Sequence, residues 1–135
     1  MLTGELGAGK TCFVRGLARG LGCDPGAVRS PSFTLLASYA GRLALRHFDV
    51  YFTRVAVDLE RAGLGEAVAA GDVVALEWGE RFSEQLPQDR LEIELRHVDS
   101  ESRAITLAAR GERASRLLSS VLPPSGRTDA PGSAP

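Results

Sequence analysis

The sequence predicts an α/β fold, a single domain with a mixed central sheet flanked by helices. Three stretches predict it. TCFVRGLARGL, residues 11–21, carries Phe13, Val14, Leu17, Ala18 and Leu21 at helical spacing. VVALEW, residues 73–78, is a continuous apolar run ending in an acid, of the kind buried on both faces of a sheet. LEIELRHV, residues 91–98, alternates apolar and polar like a strand with one face exposed. With 135 residues, 44% of them hydrophobic and 24% charged, the chain is long enough for one real core. A net charge of −1 provides no basic field that would argue for direct nucleic-acid binding.

The remaining elements follow in order. Gly22 reads as a stop for the first helix, and Asp24-Pro25-Gly26 as a turn. Pro31 keeps Ser30 extended. Phe33 to Tyr39 reads as a strand, Gly41 as a turn, and residues 43–51 as a second strand, giving a hairpin. Residues 55–62 look helical, 63–72 form a short helix or turn, and 79–86 a short helix or loop. AITLAAR at 104–110 can pair with the strand at 91–98, and residues 112–122 suit a last amphipathic helix. The domain therefore runs over 1–122. Residues 123–135 are mostly Pro, Gly, Ser and Ala with no large apolar residue to bury, and a disordered tail is expected there.

The chemistry begins at LTGELGAGKTCF. Gly4, Gly9, Lys10 and Thr11 satisfy the spacing G-x-x-x-x-G-K-[ST] of a phosphate-binding loop. Glycines there allow successive N–H groups to turn inward as a nest, and the following helix adds its free amides and positive dipole end. A lysine reaches the β- and γ-phosphates, and the threonine hydroxyl is placed for Mg²⁺. Lys10 is the only lysine in the chain, with arginine supplying every other basic residue. The competing reading is a flexible glycine turn before an ordinary helix.

Three acids or hydroxyl groups extend the site. Glu77 ends a buried strand, the position that lies beside the metal in phosphate-loop folds, although an acid can follow a strand without a role. Asp49 in HFDVY stands near another strand end, where it could orient a metal shell or water, or simply cap a turn. SPSFT offers hydroxyls that could sense a γ-phosphate, as plain loops also do. His47 reads as a satisfied core or surface histidine, Trp78 as packing, and Arg110, Arg113 and Arg116 as a solvated face. Cys12 and Cys23 fit neither metal nor disulfide spacing, so Cys12 is expected to pack in the first helical turn, in a cytoplasmic, reducing setting. No apolar run is long enough to span a membrane.

Taken together and in order, GELGAGKT, SPSFTLL, HFDVY and VVALEWGER resemble the TsaE (YjeE-type) family of bacterial P-loop ATPases, from the first residues to about residue 110. The resemblance implies a single P-loop NTPase-like domain that binds ATP with Mg²⁺. It implies partners, a TsaD-type carbamoyltransferase and a TsaB-type protein, with tRNA engaged only through the assembly. That assembly forms N6-threonylcarbamoyladenosine at position 37 of tRNAs reading codons beginning with A. Carried over by motif position, Gly7, Ala8, Gly9, Lys10, Thr11 and Cys12 would cradle the phosphates. Thr11 and Glu77 would bind Mg²⁺. Lys10, Thr34 as the switch hydroxyl, Asp49 and Glu77 would form the catalytic set.

Departures from the family pattern are visible. A second threonine is common where Cys12 stands, and Phe52 and Thr53 precede Arg54 where an arginine usually comes sooner. The family usually has about thirty residues before the loop, a strand, a helix and a feeding strand at ordinary element sizes. Only Met1, Leu2 and Thr3 precede Gly4 here. The expectation is a fold lacking the usual N-terminal strand and helix, with apolar sheet edges exposed and a less stable loop. A small-molecule or nucleotide kinase shares the same loop, and a nucleotide-responsive binding module with little hydrolysis would also fit it.

Overall fold

The computed structural model describes residues 1–55 and 57–122; the tail expected at 123–135 lies outside them. Six strands form one sheet: β1 (Leu2–Thr3), β2 (Leu36–Tyr39), β3 (Leu45–Asp49), β4 (Val73–Glu77), β5 (Arg90–His97) and β6 (Arg103–Arg110). Their order is β2-β3-β4-β1-β5-β6. β3, β4, β1 and β5 run parallel, and the antiparallel strands β2 and β6 close the two edges. Helices α1 (Lys10–Gly20), α2 (Val57–Arg61), α3 (Leu64–Ala69) and α4 (Glu112–Val121) complete the domain, with short 3₁₀ turns at Pro25–Ala27 and Gly79–Phe82. The mixed sheet flanked by helices is the architecture the sequence predicts.

Two apolar cores lie on opposite faces. Under α1, Val14, Ala18 and Leu21 meet Leu2, Leu45, Ala75 and Leu95. On the other face, Phe48, Val50 and Leu76 meet Leu59, Leu64, Phe82 and Leu86. Strand alternation produces the division, sending Leu45 and Ala75 to one side and Phe48 and Leu76 to the other. α1 ends as its glycine suggests. Gly22 takes a left-handed φ of 76°, Gly22 N–H donates to Arg19 O (3.2 Å), and Cys23 N–H donates to Ala18 O (2.9 Å), the Schellman pattern.

Three expectations need correction. The strand expected from Phe33 begins at Leu36, because Leu35 N–H donates to Pro31 O (2.7 Å) and Leu35 adopts φ 68°, folding residues 32–35 into a turn. Its partner spans Leu45–Asp49 rather than 43–51, though the hairpin pairs in register from Leu36↔Phe48 to Tyr39↔Leu45. Cys12 does not pack; it is exposed on α1.

β1 has two residues but sits between β4 and β5, paired to both. Leu2 is 2% exposed. Met1 O also accepts from Ile93 N–H (2.9 Å), and Leu2 O accepts from Trp78 N–H (3.2 Å). The phosphate-type loop therefore leaves a central parallel strand at its carboxyl end, where open α/β sheets place their ligand crevices.

Candidate phosphate and metal site

The loop from Gly4 to Gly9 joins β1 to α1. A Cβ at Gly4, where φ is 140°, would run into the Leu95 carbonyl oxygen, so only glycine lets the loop lie this close to β5. Gly9, at φ 105°, precedes the helix. The first bond of that helical turn runs from Phe13 N–H to Gly9 O (2.9 Å). The amides of Lys10, Thr11 and Cys12 come before it and have no helical acceptor. No acidic side chain stands in the first turn to compete with an anion there.

Lys10 is 4% exposed. Its Nζ donates to Gly4 O (2.6 Å) and Glu5 O (2.9 Å) and lies 3.8 Å from the centroid of the Trp78 ring. Burial holds the ammonium below the ordinary lysine range, while Glu77, Glu80 and Asp49 pull it partway back. Trp78 reaches this place because it adopts φ 64° directly after β4. The indole, read from sequence as packing, is a cation–π partner of the loop lysine.

Across from the loop, β3 and β4 end side by side with Asp49 registered against Glu77. Both carboxyl groups are buried. The Thr11 hydroxyl donates to Glu77 Oε1 (2.8 Å), and His47 Nε2 lies 2.8 Å from the same oxygen. Asp49 Oδ2 accepts from the Ser30 (2.6 Å) and Ser32 (2.7 Å) hydroxyls, and Oδ1 from Tyr51 N–H (2.9 Å). The structure thus brings Lys10, Thr11, Asp49 and Glu77 together. Thr34 lies exposed in the turn before β2, and the hydroxyls on Asp49 are those of Ser30 and Ser32.

Oxygen donors dominate the cluster, which suits a hard cation such as Mg²⁺. Among the described residues no group of three or more His, Cys, Asp or Glu side chains is arranged to hold a metal. A cation here would accordingly rest on few protein oxygens, completed by phosphate and water, which is how Mg²⁺ is ordinarily bound.

Three features of the site carry no assignable signal in the sequence. His47, read as a satisfied core or surface histidine, is buried, and its partner is Glu77. Ser30 and Ser32 hold Asp49; the SPSFT stretch carried the signal but not which hydroxyl acts. Arg81 Nη2 donates to the carbonyls of Val50 (3.1 Å), Tyr51 (3.3 Å) and Thr53 (2.8 Å), tying down the chain after β3. Backbone acceptors leave no mark in sequence, so that role was illegible. Beside the site, Phe33 stacks on Phe52 with ring centroids 5.2 Å apart, and Tyr51 bridges Phe52 and Trp78.

The family model for the threonylcarbamoyl adenosine biosynthesis protein TsaE matches residues 1–105. The chain belongs to the TsaE family. Among curated TsaE proteins, that of Treponema pallidum is 47% identical over 108 residues, 80% of this chain and 79% of the relative. The TsaE of Bacillus subtilis is 43% identical over 113 residues, 83% of this chain and 70% of the relative. The crystal structure of Bacillus subtilis YdiB is similar in fold, with a TM-score of 0.65 and 38% identity over 89% of this chain and 73% of that one. Membership in the TsaE family matches the resemblance carried by the loop, SPSFTLL, HFDVY and VVALEWGER.

Proposed function

We propose that this chain is the ATP-binding and ATP-hydrolysing component of the assembly that forms N6-threonylcarbamoyladenosine at position 37 of tRNAs reading codons beginning with A. One observation carries the reading: Lys10 and Thr11, at the start of α1, face the paired strand-end acids Asp49 and Glu77. Family membership supplies the biological context. The names of the relatives support threonylcarbamoyladenosine biosynthesis as the process, and the reading takes TsaD-type and TsaB-type proteins as the partners. On this reading tRNA is met only through the assembly, and the protein works in the cytoplasm. Among the described residues no helix is long and apolar enough to cross a membrane.

In this proposal the amides from Gly7 to Cys12 hold the phosphates, with the open helix terminus favouring anionic oxygens. Lys10 exchanges the carbonyls of Gly4 and Glu5 for phosphate oxygens, which are stronger acceptors for its charge. Thr11 donates its proton to Glu77, leaving its own lone pairs for the metal. Mg²⁺ bound there would neutralise charge that develops as the γ-phosphoryl departs. Asp49 orients the attacking water or the metal shell once Ser30 and Ser32 release it, and Thr34 in the adjoining turn senses the γ-phosphate.

The test combines the purified chain with TsaD-type and TsaB-type proteins, ATP and Mg²⁺. Phosphate release that depends on the partners, together with modified tRNA, is the expected result. Transfer of the γ-phosphoryl to a small-molecule acceptor would favour the kinase reading. ATP binding without turnover in the full assembly would favour the binding module.

A further inference from the structure

Strand alternation places His47 on the α1 face of β3, between Leu45 and Asp49. The ring is fully buried. Its Nε2 meets Glu77 Oε1 at 2.8 Å, the oxygen that already accepts from Thr11. An ionised carboxylate only accepts, so Nε2 carries the proton in this contact. Nδ1 is buried without a hydrogen-bond partner among the described residues. A proton on Nδ1 would be a buried donor with no acceptor, so the geometry suits the neutral Nε2–H tautomer. A residue chosen only to fill space would be better apolar, since an imidazole leaves one nitrogen unpaired. What the imidazole adds is a single aimed donor.

We propose that His47 is a positioning residue for Glu77: its Nε2–H pins Oε1, so that Oε2 remains available to Mg²⁺ or to a water bound to it. The inference rests on the metal–nucleotide reading above. Two donors, from β3 and from α1, converge on Oε1, and among the described residues no hydrogen bond reaches Oε2. The carboxylate is therefore fixed at one oxygen and unengaged at the other. Donors held behind a metal-binding carboxylate commonly set its orientation and the strength of metal binding. The same contact joins Thr11, at the helix start, to β3 through one shared oxygen, so that helix and strand hold the acid between them.

The test measures ATP affinity by calorimetry with excess Mg²⁺ and again with EDTA, for the unaltered chain and for His47 variants. The unaltered chain should gain affinity with Mg²⁺. His47→Leu should lose about 10–100-fold of that gain while its affinity in EDTA is unchanged. His47→Gln, whose carboxamide N–H can reach the Nε2 position, should recover most of it. His47→Asn, whose shorter amide falls near the Nδ1 position, should not. No Mg²⁺-dependent gain in the unaltered chain would overturn both the functional reading and this inference. A normal gain in the unaltered chain that His47→Leu retains in full would overturn the inference alone. Should the Leu variant fail to fold, equal gains in the Gln and Asn variants would overturn it as well.

Discussion

β3 and β4 each change character along one face. At their amino ends the α1 face is apolar, with Leu45 registered against Val73. Two residues on, His47 lies beside Ala75, and at the carboxyl ends Asp49 lies beside Glu77. All of this lies beneath one helix, whose body covers the apolar part and whose amino terminus, with Lys10 and Thr11, covers the acidic part. Leu45 at one end and Asp49 and Glu77 at the other are all buried, yet one end is held by dispersion and exclusion of water, the other by aimed hydrogen bonds and opposite charge. The difference teaches that burial alone does not mark a core. Where a helix presents unpaired amides and a lysine, a sheet can hold buried acids that would be costly anywhere else along the same strands.

The comparison is broken most severely by Lys10→Ala. The loss of a charge-assisted phosphate contact should lower ATP turnover in the assembled system by about a thousandfold, roughly 4 kcal/mol at 1.4 kcal/mol per tenfold. The circular dichroism spectrum should be retained, since among the described residues the lysine bonds only to its own loop and stands over Trp78. Normal turnover by a folded Lys10→Ala protein would refute the loop's assignment.

Leu45→Ala breaks the other end. Removing a fully buried leucine should reduce unfolding free energy by about 2–5 kcal/mol in urea titration. ATP affinity of the protein that remains folded should hardly change, since Leu45 is distant in the strand from Asp49. A large fall in affinity with little loss of stability would mean that the two ends are not separable.

Glu77→Gln sharpens the comparison by removing charge while keeping shape. Turnover should fall about 10–100-fold, with a weaker Mg²⁺ dependence and a smaller loss of nucleotide affinity. An unaltered Mg²⁺ titration would return Glu77 to an acid that merely ends a strand.

The smallest effect is expected from Ser30→Ala. Asp49 keeps Ser32 and Tyr51 N–H, so the loss in stability should be about 1 kcal/mol, read as a small shift in thermal midpoint. If the Ser30 and Ser32 hydroxyls hold Asp49 away from its task, turnover should hold steady or rise in this variant. A collapse of turnover would show instead that Ser30 takes part directly.

Much of this was open to reading along the chain. The period of residues 11–21 located α1, the apolar run at 73–78 located β4, and alternation located β5. The spacing from Gly4 to Thr11 identifies the loop, and Glu77 stands out because it closes an apolar strand. These features are local: helical period, strand period and turn chemistry act within a few residues, so they survive in the sequence. The start of β2 was misplaced because Phe33, Thr34 and Leu35 look like strand residues, while the Pro31–Leu35 hydrogen bond and a left-handed Leu35 turn them into something else.

What only the tertiary structure decided is which side chains meet. Lys10 stands over Trp78, 68 positions away in the chain; Thr11 and His47 share one oxygen of Glu77; Arg81 holds three carbonyls of the segment after β3. The sheet order β2-β3-β4-β1-β5-β6 makes these encounters, by laying β4 between β3 and β1 and setting the start of α1 over their carboxyl ends. Sequence by itself determined the phosphate-type loop, the helix behind it and the acids at the strand ends, because residue type and spacing encode backbone geometry over short distances. The partners of those residues depended on parallel pairings between strands far apart in the chain, and no local pattern specifies which distant strand a given strand will lie beside.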